Sequence, residues 1–427
     1  MIHRYEPDNL NRYGPGNLCS LLKETHMSED VSAAVVQRPG TTFLLLRLTI
    51  AVFLTAATIG LPLPVLPLYV GHELGYGNVL VGAAVGVQFL ATILTRGLAG
   101  RQADRSGARA VMLRGMFFAA SSGLALVLAA KLSLADSLRL AILFASRLLL
   151  GLGESQLIVG MFGWGIGMAG QSRSGRVIAW TGMASYGSIA AAAPIGFWAY
   201  NQGGLASIGA LIVLLPALAA ACMWTVPPVA PHAGPRSSFL RVIGSIWQPG
   251  VGILLQGVGY AAIGSFISLD FAEKGWSGTG LALSCFGAAY VVVRIFCGRL
   301  PDRTGGLYIA IISLAVETVG QILLFLAPTA WVALLGAAIT GAGCSMVFPA
   351  LGVEIIKRVA PQIRSTALGG FTAFQDVAYG LTGPITGVFA TYFGYPSVFA
   401  VGAACAALGC LTTIALACNS LGWRRPL

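Results

Sequence analysis

Long apolar blocks, broken by short polar punctuation, run along this chain, and the length of the blocks decides what they form. VLVGAAVGVQFLATIL (residues 79–94) and LYIAIISLAVETVGQILLFLA (residues 307–327) are representative. Each approaches the about 20 residues a helix needs to cross the hydrocarbon core of a bilayer. Strands of a membrane barrel would instead read as segments of about 10 residues alternating in polarity. The pattern predicts an all-α integral membrane protein with twelve spans, at residues 42–70, 79–99, 110–131, 139–160, 176–199, 204–226, 246–271, 279–299, 306–328, 331–354, 366–393 and 396–418. Gly203 and Pro328 mark the tightest turns between consecutive spans.

Composition agrees: 56% of the residues are hydrophobic and 10% charged, against about 45–50% and about 25% in soluble domains. The charge is unevenly placed. With the first residue cytoplasmic, 21 of the 26 Lys and Arg fall on that side, Arg96 and Arg294 among them. The positive-inside rule therefore assigns both termini to the cytoplasm. Topology accounts for the net charge of +11, so no nucleic-acid surface is read into it. Residues 1–41 are polar and lack the apolar core of a secretory signal. Met27 opens MSEDVSAAVVQ, an alternative translation start that an intact mass including residues 1–26 would exclude. The eight cysteines lie mostly within spans without CxxC spacing, and the four histidines are scattered. Neither a disulfide framework nor a metal site is expected from that spacing.

The chain also repeats itself. GRQADRSGAR from Gly100 returns as GRLPDRTGG from Gly298, an offset of 198 residues. SRSGRVIAW…AAPIG, with Pro194, returns as IRSTALGGF…TGPITG, with Pro384, an offset of 190, and GLGESQ from Gly151 faces GAGCSM from Gly341. Between the copies lies VPPVAPHAGPRSS (residues 226–238), whose Pro, Gly and Ser mark a linker. The predicted organisation is a cytoplasmic N-terminal segment (1–41), a six-helix bundle (42–226), a cytoplasmic linker (227–245), and a second six-helix bundle with a short tail (246–427). Parallel repeats of this kind rock about a midplane site in transporters.

These residues carry a resemblance. The decapeptide from Gly100 to Arg109 lies between spans 2 and 3, its copy runs from Gly298 to Gly305, and Arg147-Leu148-Leu149-Leu150-Gly151-Leu152-Gly153 lies in span 4. With twelve spans over nearly the whole length, the chain resembles the major facilitator superfamily, nearest to its bacterial drug- and sugar-efflux-like branch. The resemblance implies two pseudo-symmetric bundles and a cavity lined by spans 1, 4, 7 and 10 with contributions from 2, 5, 8 and 11. It also implies a monomer in a bacterial inner membrane that works by alternating access. Proton-coupled efflux of a small organic solute is expected, with proton symport or uniport of a sugar or organic acid as the alternative. The antiporter signature of span 5, a Gly-Pro pair followed by paired Gly, reads Ala193-Pro194-Ile195-Gly196 here, and the second half has Gly383-Pro384-Ile385-Thr386-Gly387.

Candidate residues follow. The repeated motif (Gly100, Arg101, Asp104, Arg105, Gly107, Arg109; Gly298, Arg299, Asp302, Arg303, Gly305) reads as a pair of conformational latches. Gly100 suits tight helix packing and Gly107 a positive φ. Asp104 suits a helix N-terminus, which the resemblance places at the start of span 11 near Thr366. The arginines suit carboxylates or lipid phosphates.

Ionisable residues inside spans are functional candidates by default. Arg147 and Glu154 are seven apart in span 4, on one face but ~10.5 Å apart, so each needs another partner. The resemblance links Arg147 to proton coupling, while Glu154 is placed near the cytoplasmic end, within reach of water. Asp376 and Glu317 fall near the midplane as proton carriers, with a hydrogen bond to a neighbouring helix as the alternative for Glu317. Gln375, Tyr186, Gln256 and Tyr260, with Gln156, Trp180, Tyr290 and Phe348, suit an amphipathic or hydroxylated solute. Pro62, Pro64 and Pro67 kink the outer end of span 1 as a gate, and Pro194 and Pro384 bend spans 5 and 11.

GIGMAG (residues 165–170) follows a membrane span and not a strand, so it lacks the context of a dinucleotide fingerprint. No GxxxxGK[ST] and no clustered catalytic constellation occur, so neither ATP as energy source nor an enzyme or solute sensor is expected. The expected partners are a small-molecule solute, protons and membrane lipids, with no cofactor.

Overall fold

The computed structural model describes residues 41–170, 174–229, 239–359 and 364–422. The alternative start at Met27 and the side chains of Asp104 and Thr366, with their expected meeting, lie outside the described residues. Leu44–Leu427 form one packed unit, and the described residues contain helices and no strands.

The helices are α1 Thr41–Gly60, α2 Asn78–Ser106, α3 Ala108–Lys131, α4 Asp136–Ala169, α5 Ser174–Met223, α6 Phe239–Glu273, α7 Thr279–Cys297, the short α8 Leu300–Thr304, α9 Gly306–Phe325, α10 Ala330–Arg358, α11 Arg364–Phe393 and α12 Pro396–Gly422. Ten stretches are long and apolar enough to cross a bilayer. One of them holds two spans, because Gly203 and Gly204 leave helical geometry, the latter at φ 63°. The twelfth span is α11, which is not among the ten because it carries Gln375, Asp376 and several threonines. Each expected span thus coincides with a helical segment.

The ends differ from expectation where helices outrun the apolar core or proline stops them. α1 stops at Gly60. Pro62 has no N–H to donate, and the amides of Val65 and Leu66 both turn back to its carbonyl, at 3.0 and 2.8 Å. A turn at Leu66–Leu68 and a π-helical turn at Tyr69–Glu73 complete the span, with Pro62, Pro64 and Pro67 buried. Pro194 and Pro384 sit inside α5 and α11, which run through them.

The repeat is visible in the packing. α3 packs on α4 and α5 as α9 packs on α10 and α12, and α2 packs on α4 as α7 packs on α10. Between the halves, α2 crosses α11 and α5 crosses α7. Lipid tails are as apolar as leucine, so membrane helices gain by close approach of small residues. At the first crossing a Cβ on Gly82 would fall on the Gly383 carbonyl, and one on Gly86 on that of Gly380. The second crossing repeats this register: Gly280 lies against Ala193 and Pro194, and Ser284 Oγ donates to the Ala190 carbonyl at 2.8 Å. Offsets of 198 between α2 and α7 and of 190 between α5 and α11 therefore hold in space as in sequence. Both crossings lie toward one end of the bundle, where Leu61, Leu63 and Leu66 join Phe266 and Ile267 in a single buried cluster.

The repeated motif lies at the other end; its first copy is helical up to Ser106, and its second is a turn at Gly298–Arg299 followed by the short α8. In the first copy Gly107, at φ 82°, joins α2 directly to α3; in the second Gly305, at φ 101°, joins α8 to α9. The positive φ expected at Gly107 is present. The tight packing expected at Gly100 is not: a Cβ there would meet nothing within 4 Å, and one on Gly298 would meet only Arg294 of its own helix. Arg101, Arg105, Arg299, Asp302 and Arg303 are exposed, and Arg109 donates to the Trp224 carbonyl at 2.6 Å.

Candidate functional site

A cavity of about 210 Å³ lies between the halves, lined by α1, α2, α4 and α5 on one side and by α6, α7, α10 and α11 on the other. Beyond the glycine crossing a long side chain links α2 to α11. Arg96 Nη2 of α2 meets Asp376 Oδ2 of α11 at 2.6 Å, and Arg96 also bonds Thr372 Oγ1. The two side chains are 12% and 9% exposed, so this ion pair between the halves is largely withdrawn from water.

Beside it, Glu154 of α4 accepts from Gln88 Nε2 at 2.7 Å and from Thr92 Oγ1 at 3.3 Å. Above the charges lies an aromatic cluster shared by both halves. Tyr186 of α5 stacks on Tyr290 of α7 with ring centres 3.8 Å apart, and its hydroxyl lies 3.0 Å from that of Tyr379. Tyr260 and Phe89 contact Tyr379 edge-on, at 5.0 and 5.1 Å. Such a site holds a solute by ring faces and a few polar groups, with a charge pair across the seam along which the halves would part.

Comparison with known proteins fits this geometry. The model of the Major Facilitator Superfamily matches residues 48–255 and again residues 249–420, one match per half. The chain belongs to that superfamily. An uncharacterized MFS-type transporter of Salmonella typhimurium is 48% identical over 86% of this chain and 95% of its own length. Among solved structures, the D-xylose-proton symporter superposes with a TM-score of 0.71, covering 86% of this chain and 97% of that one. The nucleoside transporter NupG superposes at 0.69, covering 87% and 99%. Both are 16% identical to this chain, a level that speaks for the fold alone.

Within this superfamily fold the expected site residues separate into two groups. Glu154, Tyr186, Tyr260, Tyr290, Phe348, Gln375 and Asp376 line the cavity. Glu154 corrects its expected place: α4 continues to Ala169, so the residue sits in mid-helix and not at an end open to water. Arg147, Glu317, Gln156, Gln256 and Trp180 do not line the cavity. Arg147 is 1% exposed, and none of its guanidinium nitrogens has a hydrogen-bond partner among the described residues. Glu317 is fully buried within the second half, in space left by Gly259, with Cys344 and Gln256 beside it. Gln256 accepts from Gln375 Nε2 at 3.4 Å and so stands one layer behind the cavity wall.

Among the wall residues not singled out in advance, three carry a charge or a phenolic hydroxyl into the cluster just described or its repeat-related position. Arg96 and Arg294 were counted with the cytoplasmic charges; both instead line the cavity, so the expected orientation rests on the other nineteen of the 26 Lys and Arg. A signal was present: each arginine stands four residues before the first glycine of its motif copy, at the same offset of 198. Tyr379, three residues after Asp376, is the third. No cluster of metal-ligating side chains occurs among the described residues.

Proposed function

We propose that this superfamily member is a proton-coupled exporter of a small organic solute, working by alternating access in a bacterial inner membrane with both termini cytoplasmic. The observation that carries the reading is the Arg96–Asp376 pair, which clasps α2 to α11 across the cavity. An acid at that position can release the clasp by taking up a proton, and re-form it by losing one. Proton movement then becomes linked to separation of the halves. The glycine crossings and the buried cluster close the opposite end, which corresponds to the outer face in the proposed orientation. On this reading the cavity communicates with the cytoplasm, and the two Gly-Arg motifs at the cytoplasmic end re-engage when the halves close there.

The superposed relatives are named for xylose and for nucleosides, two different chemistries, and so they select no substrate for this chain. The test is a paired growth screen of a deletion strain and an overproducing strain against toxic organic compounds. Overproduction should raise tolerance to at least one compound, and Asp376→Asn at equal membrane abundance should abolish the gain. Unchanged tolerance and unchanged cellular accumulation across the panel would count against export.

A further inference from the structure

The internal repeat places Arg294 of α7 where Arg96 stands in α2, 198 residues earlier. The partners of Arg96, Thr372 and Asp376, lie on α11, and the offset of 190 maps them onto Gly182 and Tyr186 of α5. That register is the one the two helix crossings obey: Gly86 against Gly380 is answered by Ser284 against Ala190, and Gly82 against Gly383 by Gly280 against Ala193. The second arginine is therefore retained while both of its counterpart partners are exchanged, an acid for a tyrosine and a threonine for a glycine.

The consequence is visible around Arg294. It is 8% exposed and lines the cavity. Its Nη2 donates to the Tyr290 hydroxyl at 2.6 Å and to the Ser345 carbonyl at 2.5 Å, both neutral acceptors, and its Nε is buried with no partner among the described residues. Gly182, in the position equivalent to Thr372, lines the same cavity, and a Cβ there would meet nothing within 4 Å. The two carboxylates of the cavity are already engaged, Asp376 by Arg96 and Glu154 by Gln88 and Thr92 within the field of Arg96 and Arg147. Glu317 faces Cys344 and Gln256. A buried guanidinium that meets no anion among the described residues is costly unless one is supplied.

We propose that Arg294 is the recognition residue for an anionic group on the transported solute, the solute supplying the carboxylate or equivalent acid that Asp376 supplies to Arg96. A planar ring attached to that group would lie against Tyr290 and Tyr186, whose stacked rings are next to the guanidinium, 5.1 Å from Tyr290. The expected substrate class is a small aromatic organic anion. This rests on the reading of the cavity as the solute site.

The test uses the purified full chain and three probes that share one ring and differ in charge: 2-naphthoate, 2-naphthamide and 2-naphthylmethylamine. The anion should bind about ten- to a hundredfold more tightly than the amide, the range of one charged hydrogen bond, and the amine most weakly. Arg294→Gln should erase the preference, Arg294→Lys should keep part of it, and Gly182→Asp, which supplies an internal carboxylate, should erase it while leaving Arg294 in place. Equal binding of anion and amide, absence of binding by the anion, or a preference that survives Arg294→Gln overturns the assignment. Tyr186→Ala separates the two readings. If it weakens binding of the amide or the amine while the anion shows no advantage, the solute site stands and the anion assignment falls. If no probe responds to it, the solute site falls as well.

Discussion

Replacing Gly82 by alanine tests whether the two halves come apart at the end where they are now sealed. The added methyl would fall on the Gly383 carbonyl and come within 2.8 Å of Pro384 N, whereas carbon contacts settle near about 3.5–4.0 Å. These neighbours are backbone atoms in the middle of a helix, so they cannot rotate aside, and α2 and α11 must part by roughly 1 Å or more. Overpacking of this kind costs about 1–3 kcal/mol, which shifts the ratio of sealed to unsealed molecules by about 5- to 150-fold. The cost falls on the sealed state alone if this crossing opens during the transport cycle. Amide hydrogen exchange reads the result: residues 61–76 and 380–393 should lose protection in Gly82→Ala by a factor in that range. Gly244→Ala, where a Cβ meets nothing within 4 Å, is the control and should exchange like the wild type. Identical protection in both variants would refute the reasoning. Loss of protection spread evenly over the chain would refute it too, since that outcome reports unfolding and not an opened crossing.

Three further outcomes are expected. Arg147→Met removes a buried charge without a hydrogen-bond partner among the described residues, so thermal unfolding should show no loss of stability and a gain of up to about 4 kcal/mol, while transport is lost; a destabilised variant would mean that Arg147 holds the fold. Tyr186→Phe removes the hydroxyl contact with Tyr379 but keeps the stack on Tyr290, a cost of about 0.5–1.5 kcal/mol that calorimetry can resolve; a larger loss would put the weight on the hydroxyl rather than the ring. Asp104→Asn should change the transport rate and leave the ranking of substrates alone, and a changed ranking in competition assays would count against a latch.

The fold was legible because each span announces itself by length, and because the halves repeat motifs at nearly constant offsets. Even α11, too polar to qualify by hydropathy, was marked by the proline and glycines that match those of span 5. Span ends were less legible: α2 runs past its apolar stretch through Arg101–Ser106, which hydropathy does not register, and α4 continues through the glycine-rich apolar stretch Met161–Ala169. The site was legible in part. Asp376 and Glu154 stood out as acids in apolar surroundings, whereas Arg96 and Arg294 were masked by the basic segments next to them. Whether an arginine near a helix end reaches headgroups or turns inward depends on the neighbouring helix, and only the packing of α2 on α11 and of α7 on α5 fixes that direction. Glu317 shows the reverse case: an acid equally conspicuous in sequence is enclosed within one half, behind the cavity wall.

The central claim is that protons drive the halves apart through the Arg96–Asp376 clasp. Its most direct test is solute flux in proteoliposomes with an imposed pH gradient, using wild type and Asp376→Asn. The account predicts flux that follows the gradient in the wild type and loses that dependence in the variant. Flux indifferent to the gradient in the wild type, or equally dependent on it in Asp376→Asn, would contradict the account.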